Sequence, residues 1–144
     1  MQLYFAYGSN LSLTQMRQRC PNSRRVESVL VVLPDYRWLI YNRGYANVAK
    51  QPGNHVEGAL YELTQSDEES LDQFEGVKKN IYQKKLLDVL RDEVLIKALV
   101  YVAPNTEQST TSRDYAETVL QGARDAKLSE KYIERVLRPQ LVHA

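Results

Sequence analysis

The sequence predicts an α+β fold, a mixed small β-barrel or sheet with short helices packed around it. Two observations point there. Strand-like runs dominate residues 26–61 and 81–102, and the helix-periodic segments beside them do not alternate regularly with strands as a parallel βαβ fold would require. The length of 144 residues, with 43% hydrophobic and 26% charged, suits a single domain spanning residues 1–144. No internal repeat, low-complexity segment or linker divides it.

In order along the chain, Leu3 to Tyr7 is apolar and aromatic and reads as a buried strand running into the turn residues Gly8-Ser9-Asn10. A helix follows. Ser12 is its expected N-cap, with Gln15 completing a capping box, and Leu13, Met16 and Cys20 share one face before Pro21-Asn22. Four short strands are then predicted at Val29–Leu33, Trp38–Tyr41, Ala46–Ala49 and Val56–Tyr61, separated by Pro34-Asp35, Arg43-Gly44 and Pro52-Gly53-Asn54. The period changes at Thr64. A capping box of Ser66 with Glu69, apolar Leu71 and Phe74 three apart, and Gly76 as left-handed C-cap predict a short helix ending at Glu75. Ile81–Leu90 and Val94–Val102 read as a hairpin across Arg91-Asp92-Glu93, and Pro104 to Thr111 as a polar loop. Ala116, Val119, Leu120 and Ala123 mark another helix. Ser129 caps the last one, with Leu128 and Ile133 as a hydrophobic staple and Pro139 closing it.

The composition narrows the function classes. Nineteen Lys and Arg against eighteen Asp and Glu leave a net charge of +1, too little to recruit nucleic acid or an acidic membrane surface. Cys20 is the sole cysteine and His55 and His143 the only histidines, so neither a disulfide framework nor a metal site of recognisable spacing is expected. No Gly-x-Ser-x-Gly elbow accompanies His55, and the Lys78-Lys79 and Lys84-Lys85 pairs read as solvated strand ends. No basic n-region or long apolar run appears, so a cytoplasmic protein with neither membrane span nor secretion signal is expected.

Three features could carry chemistry. Tyr7-Gly8-Ser9-Asn10-Leu11 joins a strand to a capped helix; it is either an anion or oxyanion cradle of N–H groups or an ordinary turn. A lone glycine without a following Gly-Lys-Ser/Thr makes it neither a dinucleotide fingerprint nor a Walker loop. Glu75 falls at a helix C-terminus beside Phe74, where the helix dipole and loss of water both raise a carboxyl pKa, although a surface glutamate before a capping glycine is also ordinary. Ten tyrosines against two Phe and one Trp favour aromatics with polar tips, and Tyr7, Tyr82 and Tyr115 sit at element edges. Each is either a pocket wall or half-buried core.

The segments Leu3-Tyr4-Phe5-Ala6-Tyr7-Gly8-Ser9-Asn10-Leu11 and Leu71-Asp72-Gln73-Phe74-Glu75-Gly76-Val77 together resemble the gamma-glutamylcyclotransferase family, with its AIG2-like fold. Gln51 to Tyr61, Tyr82, Ser112-Arg113-Asp114-Tyr115 and Gly122-Ala123 follow that family's order. The resemblance implies an enzyme that cyclises a small-molecule gamma-glutamyl substrate to 5-oxoproline and needs no metal or organic cofactor. It implies Glu75 as the general acid/base, and Tyr7, Gly8, Ser9, Asn10, Leu11, Tyr82 and Tyr115 as the substrate-binding set. Related cyclotransferases acting on gamma-glutamylamines or glutathione, and a non-catalytic module binding an amino-acid-like ligand, are the alternatives. Gly44-Tyr45-Ala46-Asn47 stands where relatives often carry a Gly-Gly-Ile-Ala-like stretch, so Tyr45 is expected to narrow or reshape the site.

Overall fold

In the computed structural model, residues 1–27 and 30–142 are described. The predicted strand start at Val29, and His143, lie outside them. The strands are β1 (Gln2–Ala6), β2 (Arg24–Arg25), β3 (Val31–Ile40), β4 (Ala46–Leu63), β5 (Gln83–Arg91) and β6 (Val94–Val102). They form one mixed sheet in the order β1-β6-β5-β3-β4-β2, whose single parallel contact is β1 with β6. The sheet curls until β1 also pairs antiparallel with β4, from Gln2 opposite Leu63 to Ala6 opposite Ala59.

The four short strands predicted between residues 29 and 61 are two long ones. β3 runs through Pro34-Asp35 and β4 through Pro52-Gly53-Asn54, with the register shifting between Pro34 and Tyr36. The supposed turns are matched irregularities on neighbouring strands. Asp35 and Gly53 both take positive φ (62° and 86°), and the Asp35 carboxylate accepts the Gly53 N–H at 3.0 Å. The β5–β6 hairpin forms as expected; Asp92 and Glu93, both at positive φ, make its two-residue turn.

Helix α1 covers Leu13–Arg19, α2 Gln65–Phe74, α3 Arg113–Asp125, and the C-terminal helical run comprises α4 (Glu130–Tyr132), a π turn (Ile133–Leu137) and α5 (Arg138–Leu141). α2 is capped by Thr64 and Asp67, not by Ser66 and Glu69. Thr64 Oγ1 accepts the Asp67 N–H at 3.2 Å and Asp67 returns the bond at 3.4 Å, because β4 ends at Leu63 and leaves Thr64 at the junction. Asp67 is buried and also accepts the Asn22 N–H, so tertiary packing fixes which box is used.

Pro139 does not close the last helix, which continues to Leu141. The preceding π turn hands the Arg138 N–H back to the Ile133 carbonyl, and the proline falls in the first turn of α5, where its missing N–H is harmless. Ser129 caps α4 as expected and is itself held by buried Glu57, which accepts the Ser129 N–H and hydroxyl, both at 2.8 Å. Leu128 and Ile133 are both buried in the shared core.

That core lies inside the curled sheet and beneath the helices. Phe5, Leu11, Leu33, Leu39, Leu60 and Leu71 are fully enclosed, each stabilising the fold by about 1.5–3 kcal/mol relative to exposure. Cys20 belongs there as well: burial, reinforced by Asp67, pushes its thiol up to about 12, against the opposing pull of Arg19, which leaves it unreactive.

Candidate active site

β1 delivers Tyr7 to the rim of a cavity of about 320 Å³, and Gly8 then turns the chain into a single 3-10 turn, Ser9–Leu11. Two contacts explain why the turn sits there. An added Cβ on Gly8 would lie 2.9 Å from the Ala46 Cβ and 3.2 Å from the Tyr115 hydroxyl, so the glycine makes room for β4 and α3 instead of for a ligand. From the other side a Cβ added to Gly122 of α3 would fall 2.5–2.8 Å from Ser12 and Leu11 atoms, closer still.

The turn's own hydrogen bonds define what it can offer. The Leu11 and Ser12 N–H groups donate to the Gly8 and Ser9 carbonyls, and the Leu11 side chain is fully buried away from the cavity. Leu11, expected in the substrate-binding set, therefore anchors the loop and is not among the residues that line the cavity. Gly8, Ser9 and Asn10 do line the cavity. The Asn10 amide is already engaged: its Nδ2 donates to Tyr4 Oη at 2.9 Å, and its Oδ1 accepts from Gln15 at 2.8 Å and Arg19 at 3.2 Å.

Gln15 is a site residue that the sequence concealed. Ser12 accepts the Gln15 N–H as an N-cap should, but the Gln15 side chain does not return to Ser12, whose N–H is bonded to Ser9. It reaches forward to Ser9 Oγ at 2.6 Å and to Asn10, bracing the turn from α1. The spacing that read as a capping box is in fact the brace.

Opposite the turn, Glu75 is the C-cap residue of α2, its N–H bonded to the Leu71 carbonyl at 2.8 Å. Gly76 follows at φ 63°, ending the helix as predicted, and Ile81 packs so tightly on it that a Cβ would fall 2.8 Å from Ile81 Cδ1. One turn earlier Asp72 accepts the Tyr101 hydroxyl at 2.7 Å and Lys84 Nζ at 3.1 Å, tying the end of α2 to β5 and β6. Glu75 lines the cavity and is half-buried, and no hydrogen bond to its carboxylate occurs among the described residues. Loss of water raises its pKa to about 7, with Arg19 opposing the shift. Arg19 in turn lies over the Phe74 ring, 4.6 Å from its centroid. Removing that cation in Arg19→Gln should raise the Glu75 pKa further, which a carboxyl titration followed by NMR would register.

The tyrosines divide the remaining wall. Tyr7 Oη donates to the Tyr101 carbonyl at 2.5 Å, Tyr82 Oη to the Ala46 carbonyl at 2.7 Å, and Tyr115 Oη accepts the Ala46 N–H at 3.0 Å. All three line the cavity. Burial raises each phenol, Tyr115 to about 12 with the Ala46 and Ser9 hydrogen bonds pulling back, so all three are neutral near pH 7. Tyr45 lines the mouth, 47% exposed, edge-on to Tyr115 at 5.2 Å. Arg43 joins it there and carried no sequence signal beyond its turn. No cluster of three metal-ligating side chains occurs among the described residues, and none of their helices is long and apolar enough to cross a membrane.

The chain and its fold are similar to known proteins. The chain is 29% identical to the gamma-glutamylcyclotransferase of Mus musculus over 143 residues, covering 93% of this chain and 76% of that one, and matches the Homo sapiens protein of the same name equally over 145 residues. A solved gamma-glutamyl cyclotransferase structure superposes with a TM-score of 0.85 at 28% identity, over 93% of this chain and 85% of the other. Residues 55–136, more than half of the chain, match the AIG2-like family, and the chain belongs to it.

Proposed function

We propose that the chain is a gamma-glutamylcyclotransferase in which Glu75 carries the protons. The observation behind this is the placement of Glu75 on the wall of a tyrosine-lined cavity that the braced turn also lines, where loss of water raises its carboxyl to about 7 and Arg19 and Arg43 are the other charged groups. A gamma-glutamyl donor contains its own nucleophile, so the protein has only to fold it and manage protons. Glu75 takes a proton from the substrate's α-ammonium group. The freed amine attacks the γ-carbonyl carbon and closes a five-membered ring. The carboxyl then returns that proton to the departing amine as the original amide C–N bond breaks, and the ring nitrogen gives its second proton to the freed amine, leaving neutral 5-oxoproline and an ammonium product. A pKa near neutrality serves both transfers, since the group must accept and release within one turnover.

The N–H groups at the start of the 3-10 turn, with Ser9 Oγ, suit the glutamyl carboxylate or the developing oxyanion, because the Asn10 amide is occupied within the protein. Tyr7, Tyr82 and Tyr115 orient the donor, and Arg43 and Tyr45 face the part that leaves. A cytoplasmic role in gamma-glutamyl and glutathione breakdown fits the lone, buried Cys20.

The test is a donor panel of gamma-glutamyl dipeptides, glutathione and gamma-glutamyl-lysine, assayed for 5-oxoproline. At least one unmodified donor should yield product, and its N-acetylated form, which has no free amine, none. Absence of product from every donor would overturn the proposal. Tyr45→Ala opens the mouth and should lower KM for bulky acceptors several-fold relative to gamma-glutamyl-glycine, read from kcat/KM ratios.

A further inference from the structure

A second cavity of about 350 Å³ lies where the β3–β4 hairpin meets the C-terminal helical run. Arg37, Asn54, His55, Gln108, Tyr132, Arg135 and Gln140 form its polar lining, with no aspartate or glutamate among the residues that line it. Among the described residues, the side chains of Arg37, Asn54, His55, Gln108 and Arg135 make no hydrogen bond or ion pair with the protein. Tyr132 is 4% exposed, yet its hydroxyl has no hydrogen-bond partner; the Glu57 backbone lies near it but off hydrogen-bond geometry. Such an unpaired buried hydroxyl is unfavourable, and a ligand that bonds it removes the penalty. The cavity also brings together two guanidinium groups, half-buried Arg37 and exposed Arg135, with no carboxylate in its lining. Arg135 lies in the π turn Ile133–Leu137, a helical geometry that recurs at functional sites.

We propose that this second cavity is an anion-binding site that takes a small dianionic oxyanion, phosphate or dicarboxylate, between Arg37 and Arg135. Guanidinium groups meet such oxygens two at a time, and Tyr132, Asn54 and Gln108 supply neutral donors around them. The cavity wall also contains Trp38, whose Nε1 donates to the Tyr7 carbonyl at 2.9 Å and whose own carbonyl accepts from Gln140 at 3.1 Å. Trp38 thus joins the second cavity to Tyr7, which lines the first.

Trp38 is the only tryptophan in the chain, so its fluorescence reports occupancy directly. Inorganic phosphate, and separately succinate, would be titrated into the intact protein with ionic strength held constant by chloride. A saturable change is expected with at least one of them, and the stronger arm identifies the oxyanion. The Arg37→Gln/Arg135→Gln variant should weaken it at least tenfold. Tyr132→Phe should weaken it several-fold without lowering Tm, since no protein hydrogen bond is lost. Arg43→Gln, at the other cavity, should leave it unchanged. A response that fails to saturate, that chloride alone reproduces, that persists at full affinity in the double variant, or that Arg43→Gln removes, would overturn the site.

Discussion

Replacing Glu75 with glutamine should reduce kcat by about 10²–10⁴-fold, the usual worth of a positioned acid or base, while making the protein more stable at mildly alkaline pH. Both effects come from one pKa. In the unfolded chain the carboxyl has its ordinary value of 4.5, and in the folded protein burial raises it to about 7. Below the lower value both states hold the proton and Glu75 has no effect on the pH dependence. Between the two values the folded state retains a proton that the unfolded state has released, so stability falls as pH rises. Above about 7 the full cost of an ionised, poorly hydrated carboxylate is present, on the order of 2 kcal/mol once its partial exposure is allowed for. Glutamine is nearly isosteric and does not ionise. The variant should therefore melt higher than the parent at about pH 8 and with it at about pH 4, as thermal scans at both pH values would show. Equal melting at both, with turnover intact, would remove Glu75 from its role.

Gly122→Ala should disable the opposite wall of the site. In an exposed helix this substitution is favourable by about 1 kcal/mol. Here the new methyl would lie 2.5 Å from the Ser12 nitrogen and 2.7–2.8 Å from Leu11 atoms, two of the three contacts being with backbone. Backbone cannot swing aside as a side-chain tip can, so overpacking at about 1–3 kcal/mol outweighs the helix gain. The strain falls on the 3-10 turn that Gln15 braces. A lower Tm together with a KM raised at least several-fold is expected, whereas exposed Glu117→Ala on the same helix should change neither appreciably. A Gly122→Ala protein as stable and active as the parent would show that α3 does not set the turn.

The two segments that line the cavity are marked in the sequence by local chemistry, which leaves each also readable as ordinary structure until the family resemblance joins them. A strand running into Gly8-Ser9-Asn10 and a helix stopping at Glu75-Gly76 are written in neighbouring residues. Residues brought in by tertiary contacts were not legible. Tyr101 reaches the cavity because β6 lies beside β1, and Arg19 because α1 packs near α2. Gln15 did leave a signal, but a capping box explained it equally well. Leu11 was drawn into the site by its place in the motif, although an apolar residue ending a 3-10 turn has good reason to point into the core. The breaks read at Pro34-Asp35 and Pro52-Gly53-Asn54 show the same limit. Positive φ and a proline end a strand taken alone, yet two such irregularities facing each other across a long hairpin satisfy one another.

The pH dependence of kcat/KM for 5-oxoproline release tests most directly whether Glu75 moves the protons. The carboxylate must be ionised to accept the first proton, so kcat/KM should rise with pH through an apparent pKa of about 7, and Arg19→Gln should move that limb to higher pH. A limb near the ordinary carboxyl value of 4.5, or one unmoved by Arg19→Gln, would contradict it.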